Sequence, residues 1–120
     1  MRDKILRINQ SKDKFCGIIK TNERTITYRF DGDKCCNLRQ VQESRPLTEM
    51  IGKCITEMDL VEVEEQPRDD PDRNKGGKVC FSIMCGEDIY YLTALNHHNG
   101  YYVMNFDVEI DNKPLWNLAI

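Results

Sequence analysis

The side chains with the widest chemical repertoire here are six cysteines and two histidines in a chain of 120 residues. Structural zinc sites draw on pairs of Cys or His a few residues apart, whose spacing lets both donors reach one ion. Here Cys35 and Cys36 are adjacent, His97 and His98 are adjacent, and four residues separate Cys80 from Cys85. Neighbours on a strand point to opposite faces, so neither adjacent pair chelates easily. A Cys80/Cys85/His97 set could be gathered by two hairpins. The competing reading, core thiols beside a polar turn, is the one adopted, with no metal. A cysteine nucleophile needs a base and an orienting group. Cys36 with His97 or His98 is a pairing on paper only. The paired carboxylates lie in a polar acidic run rather than an apolar pocket that would split their pKa values. No phosphate loop, dinucleotide turn, serine elbow or metalloprotease pair occurs. No catalytic residue, no enzymatic activity and no cofactor is therefore expected.

Charge is the second feature with chemical content. The net charge of -3 hides a division: residues 1–45 carry 11 Lys/Arg against 6 Asp/Glu, and residues 46–120 carry 6 against 14. The densest run is Glu57 to Asp72, with eight acids and one base, Arg68. One reading is a solvated edge strand leading into a polar loop. The other is an acidic surface for a basic partner. On the second, the partner-binding residues are Glu57, Asp59, Glu62, Glu64, Glu65, Asp69, Asp70 and Asp72.

The basic half invites a nucleic-acid reading, because Arg24, Arg29, Lys34, Arg39 and Arg45 interleave with Tyr28 and Phe30. Arginines beside aromatic rings on one sheet face can stack bases. Strand alternation puts Arg29 on the face opposite Tyr28 and Phe30, and the pI is near 5.4, so direct nucleic-acid binding is not expected. A small-ligand or nucleotide-signal site built from Tyr90, Tyr101, Tyr102 and a basic residue is the alternative to a protein partner.

These residues need elements to hold them. KILRIN (4–9) reads as a strand and KFCGIIK (14–20) as a second, with Gly17 a candidate bulge. Thr21-Asn22 reads as a tight turn. ERTITYRF alternates Ile26, Tyr28 and Phe30 against Thr25, Thr27 and Arg29, the period-two signature of a strand. A short strand is expected around Leu38–Val41. Residues 47–53, between Pro46 and Gly52, are expected to form one or two helical turns. From Cys54 to Glu65 the chain is extended, but the alternation slips near Asp59. Met58 and Leu60 share one face while Val61 and Val63 take the other, which predicts a bulge. Residues 66–78, with two prolines and two glycines, read as a mobile loop. Three strands in meander follow, joined at Gly86-Glu87 and Asn99-Gly100. In the last, Tyr102, Met104, Phe106, Val108 and Ile110 face inward. The tail is expected to pack Trp116, Leu118 and Ile120 down.

The expected fold class is α+β: mostly antiparallel β-sheet of about six to eight strands, with one short helix near 47–53, in a single domain over 1–120. The first 20 residues are charged throughout, which reads as no signal peptide, and no apolar run is long enough to span a membrane. A reducing cytosol and free thiols are the corresponding expectation.

The stretch DKCCNLRQVQESRPLTEMIGKCI (33–55) and the stretch NHHNGYYVMNFDVEI (96–110) resemble an uncharacterised family of small phage-encoded proteins. The shared features are a Cys-Cys pair, a short strand, a (Leu/Met)-Ile-Gly turn and a C-terminal Asn-Gly-Tyr-Tyr hairpin. They fall here on Cys35, Cys36, Ile51, Gly52, Asn99 and Gly100. Asn37 stands where the family favours an acid, and Met50 where it favours leucine. The resemblance implies structural roles for these residues and no catalytic ones. It also implies a context, a phage accessory protein in the cytosol of a bacterial host. In that context the acidic run suits an anti-defence protein. Its partner would be a basic host protein that handles nucleic acid, and an anti-CRISPR inhibitor of a Cas nuclease is the most concrete form. A phage accessory protein with a nucleic-acid-binding basic face is the further alternative. Oligomeric state is not legible.

Overall fold

The computed structural model describes residues 3–32, 38–64, 77–97 and 104–119. Among the described residues the strands are β1 (Ile5–Gln10), β2 (Cys16–Thr21), β3 (Thr25–Gly32), β4 (Leu38–Glu43), β5 (Glu57–Glu64), β6 (Gly77–Cys85), β7 (Asp88–His97), β8 (Met104–Ile110) and β9 (Lys113–Ala119). They form two antiparallel sheets, one of five strands ordered β1-β2-β3-β8-β9 and one of four ordered β4-β7-β6-β5.

One core cluster draws on both sheets. Ile19, Ile26, Tyr28, Phe106 and Val108 come from the first, and Val79, Phe81, Ile83, Tyr90, Leu92 and Ala94 from the second. Phe81 bridges the layers, with its ring 6.1 Å from that of Phe106 and edge-on to Trp116 at 5.4 Å. Two sheets sharing one apolar interior make a sandwich, in which each strand sends alternate residues inward. The alternations read in Ile26/Tyr28/Phe30 and Phe106/Val108 are the inward sets, all buried.

Turn chemistry explains the short connections. Gly86, with φ of +66°, opens the two-residue turn between β6 and β7, the left-handed conformation such a turn needs first. Asp111 and Asn112 both take positive φ, 52° and 66°, and close β8 onto β9. Asx residues tolerate that region better than most.

Several expectations are corrected. The α+β label does not hold, because the described residues contain no α-helix; residues 47–53 give only a 3-10 turn, Leu47–Met50. Tertiary pairing ends the turn. Ile51 is already extended, Gly52 swings to φ +91°, and its N–H donates to the Ile5 carbonyl at 2.8 Å. The Ile5 N–H in turn donates to the Lys53 carbonyl at 2.8 Å. The chain is captured beside β1 before a second helical turn can form. The tail is a strand, β9, giving nine strands among the described residues. Pro114 is accommodated because β9 lies at a sheet edge, where a missing N–H costs little. Trp116 and Leu118 pack against the core from β9 as expected.

The meander stops at β7, because β8 lies in the other sheet beside β3 and β9. The bulge near Gly17 is absent, since β2 and β3 pair in continuous register there. The irregularity falls instead in β1 between Ile5 and Arg7. Gly17 has a different reason to be glycine: the Tyr28 ring lies over it. The expected loop at 66–78 lies outside the described residues apart from its last two, Gly77 and Lys78, which belong to β6. No described helix is long and apolar enough to cross a membrane.

Candidate functional site

Strand β5 is at the edge of the four-stranded sheet, paired with β6 alone. Its register is Glu57 opposite Met84, Met58 opposite Ile83, Asp59 opposite Ser82 and Leu60 opposite Phe81. A shift follows between Leu60 and Glu62, after which Glu62 lies opposite Cys80, Val63 opposite Val79 and Glu64 opposite Lys78. That is the predicted bulge. Its effect follows from parity. Side chains on a strand alternate with period two, so in an unbroken strand Glu57 and Asp59 would share a face with Val61 and Val63. One inserted residue reverses the alternation. Glu57, Asp59, Glu62 and Glu64 therefore all occupy positions on the outer face, opposite Met84, Ser82, Cys80 and Lys78. Ile83, Phe81 and Val79 face the core. Val61 is the extra residue and is 57% exposed.

The result is an acidic stripe about 20 Å long at the usual strand rise. Glu57, Asp59 and Glu62 are exposed. Lys78 Nζ reaches Glu62 Oε2 at 3.1 Å, so the stripe is neutralised at one point. Inboard of it on the same face lie Met84 and then Ile89, Tyr91, Thr93 and Leu95 of β7, all half-buried or exposed. An acidic border beside a partly apolar strip is the arrangement of protein docking surfaces, charged at the rim and less polar within. Of the other predicted partner-binding residues, Glu64 contributes its backbone to β5, and its side chain is not described. Glu65, Asp69, Asp70 and Asp72 lie outside the described residues.

The family-motif residues divide similarly. Ile51 is 48% exposed at the end of the 3-10 turn, and Gly52 supplies the left-handed step beside β1. Cys35, Cys36, Asn99 and Gly100 lie outside the described residues.

Other candidate chemistry resolves into structure. Cys80 and Cys85 fall five residues apart on β6 and so project to opposite faces. Cys80 accepts from Thr93 Oγ1 at 3.4 Å, while Cys85 joins the core. The two thiols do not converge, and burial pushes the Cys85 thiol upward in pKa. Cys16, Cys80 and Cys85 are free thiols.

Tyr90, suggested as a ligand platform, is fully buried. Lys53 Nζ donates to its hydroxyl at 2.6 Å, and the Arg45 guanidinium sits 4.6 Å from its ring centre. Both cations also hold Asp88, at 3.0 Å from Lys53 and 3.3 Å from Arg45. The Lys53 hydrogen bond first, and then that of Arg45, hold the Asp88 carboxyl below its ordinary range. Tyr101 and Tyr102 lie outside the described residues. Tyr28 and Phe30 are core residues while Arg29 is exposed, the separation of rings from charge read in the sequence.

Sequence reasoning missed one well-enclosed charged group. Glu43, at the end of β4, has a side chain only 5% exposed. Its carboxylate accepts from Lys14 Nζ at 2.8 Å, the Leu47 N–H at 2.8 Å and Gln10 Nε2 at 3.2 Å. Gln10 Nε2 also donates to the Tyr28 hydroxyl at 2.9 Å, so the cluster ties the two sheets together. Burial pushes the carboxyl up, but the Lys14, Leu47 and Gln10 hydrogen bonds outweigh it and hold the group below its ordinary range. Only the burial of an acid at a strand end distinguishes it, and charge counting along a sequence carries no such signal. No family model, curated protein or solved structure matches the chain.

Proposed function

We propose that this protein is a binding protein rather than an enzyme, and that it docks a basic partner on the outer face of the β4-β7-β6-β5 sheet. One observation carries the reading: the bulge in β5 gathers Glu57, Asp59, Glu62 and Glu64 onto a single face beside Met84 and Tyr91. The reversal keeps Val63 opposite core residue Val79 and leaves the acids in one outward row. Aligned acids steer a cationic partner during encounter and fix its register, while the half-buried strip supplies contact area.

The partner class follows from charge together with the phage-family resemblance. Basic proteins that handle nucleic acid present channels shaped for a row of phosphates, and a row of carboxylates on a rigid strand can occupy such a channel. The protein is on this reading an anti-defence inhibitor acting in a bacterial host cell, and the target a nucleic-acid-cleaving effector such as a Cas nuclease. The small-ligand alternative loses Tyr90 as a contact, since that ring is enclosed by Arg45, Lys53 and the core.

The test is capture of candidate nucleases on immobilised protein, with nuclease activity read in parallel. The wild type captures and inhibits the partner at about 0.1 M salt and releases it toward about 1 M, where the screening length falls to about 3 Å. A Glu57→Lys, Asp59→Lys, Glu62→Lys variant with an unchanged urea midpoint loses both effects. Equal capture and inhibition by that variant would remove the acidic surface from the mechanism.

A further inference from the structure

On the opposite side of the sandwich, the outer face of β1, β2 and β3 holds a shallow depression of about 410 Å³. Its walls include Asn9, Cys16, Ile18, Thr27 and Arg29. We infer that this depression binds a small organic monoanion, its apolar body on Ile18 and Thr27 and its acid group on Arg29. The inference is independent of the acidic face proposed above.

Three observations support it. The floor is apolar where it should be wet: Ile18 is 45% exposed in the middle of the sheet face, with Thr27 directly across from it. The cation at the end of the floor is unspent. Arg29 is exposed, and among the described residues it makes no hydrogen bond or ion pair. Asp107 stands opposite Arg29 in the β3–β8 ladder, but its Oδ1 accepts from Asn117 Nδ2 across β8–β9 and it forms no ion pair with Arg29. A volume of this size, mostly apolar with one placed charge, matches what small-molecule sites offer.

Ladder geometry sets the ligand's dimensions. Cys16 lies across from Arg29 and Ile18 across from Thr27. The cationic row is thus two residues from the apolar row, about 7 Å along the strands. An aromatic or short aliphatic acid spans that distance, whereas a bare inorganic anion would leave Ile18 uncovered. Guanidinium geometry suits a carboxylate, sulfonate or phosphate through paired donors.

The probe is 8-anilinonaphthalene-1-sulfonate, an aromatic monoanion, titrated by fluorescence against the full chain, with laurate as competitor. One saturable site is expected, displaced by laurate. Arg29→Gln should weaken the probe by about tenfold, the loss of one charge-assisted contact, and Ile18→Asp should weaken it at least as much. Lys20→Gln, two residues along the same face, should leave it within about twofold. A second readout uses Cys16 as a reporter beside Arg29. Peptide mass spectrometry compares its alkylation by iodoacetate and by neutral iodoacetamide. In the wild type the anionic reagent gains at Cys16 relative to Cys54, and Arg29→Gln abolishes the gain. Probe affinity unchanged in Arg29→Gln, or an iodoacetate preference at Cys16 no different from that at Cys54, overturns the proposal.

Discussion

Replacing Gly17 by alanine separates two opposed physical effects. Glycine within a strand forfeits about 0.5–1 kcal/mol relative to alanine through backbone entropy, so propensity alone predicts that Gly17→Ala stabilises. The structure predicts the reverse. A Cβ at Gly17 would stand 2.6 Å from Tyr28 Cε1, 2.6 Å from its hydroxyl oxygen and 2.7 Å from Cζ. Favourable carbon contacts lie at about 3.5–4 Å. The ring cannot step aside cheaply. It is fully buried, stands 6.1 Å from the Phe30 ring, and its hydroxyl is bonded to Gln10 at 2.9 Å. Overpacking of this kind costs about 1–3 kcal/mol, which exceeds the entropic gain and leaves a net loss of about 1–2 kcal/mol.

Urea unfolding measures it. With a slope of about 1–3 kcal/mol per molar for a small protein, the midpoint falls by about 0.5–1 M at unchanged slope. The same substitution in a Tyr28→Leu background, where the ring is gone, should be neutral or stabilising. The difference between the two backgrounds is the coupling. A midpoint that holds or rises in Gly17→Ala, or an equal loss in both backgrounds, would refute the reasoning.

Other expectations follow from the same geometry. Glu43→Gln should destabilise by about 2 kcal/mol near neutral pH, through weakened charge-assisted bonds to Lys14 and the Leu47 N–H. Because the folded carboxyl is held below its ordinary value, its contribution is present above the unfolded pKa and disappears as pH falls through the folded one. Urea midpoints for wild type and variant should therefore converge toward the acid side of 4.5. Burial first raises the Tyr28 hydroxyl to about 12, against an ordinary 10.0. Its stabilising effect is thus complete below 10 and lost as pH rises toward 12. A phenolate absorbance titration should show a late step that Tyr28→Phe removes. Phe81→Ala removes the ring that joins Phe106 to Trp116 and should cost about 3–5 kcal/mol, with loss of near-ultraviolet ellipticity from Trp116.

Local features were legible where local physics decides them. The inward sets of β3 and β8 follow from period-two alternation, the Gly86 turn from glycine's access to positive φ, and the β5 bulge from the slip between Leu60 and Val61. The partition of strands into two sheets was not legible. A strand alternates in the same way whether its neighbour is β7 or β3, and only contacts distant in sequence, such as Phe81 on Phe106, decide between them. The 3-10 turn at Leu47–Met50 failed as a helix for a similar reason, since the hydrogen bonds from the Gly52 N–H to the Ile5 carbonyl and from the Ile5 N–H to the Lys53 carbonyl join residues far apart in the chain. Of the candidate site, the acids were found by composition, and their common face came from the β5–β6 register. The half-buried strip of Met84, Tyr91 and Leu95 beside them required the β5–β6–β7 register.

The inserted residue at Val61 makes the acidic stripe sensitive to the direction in which the chain length changes. Many single substitutions along β5 would subtract one charge and leave the others facing outward. Deleting Val61 removes the extra residue and the bulge with it, so Glu57, Asp59, Glu62 and Glu64 stay on one face of a regular strand, whereas an added residue that the bulge does not absorb turns Glu62 and Glu64 toward the core side and Val63 outward. Variation among natural relatives of this surface should thus tolerate exchanges of acid type and loss of Val61, and tolerate single-residue insertions between Asp59 and Glu62 hardly at all.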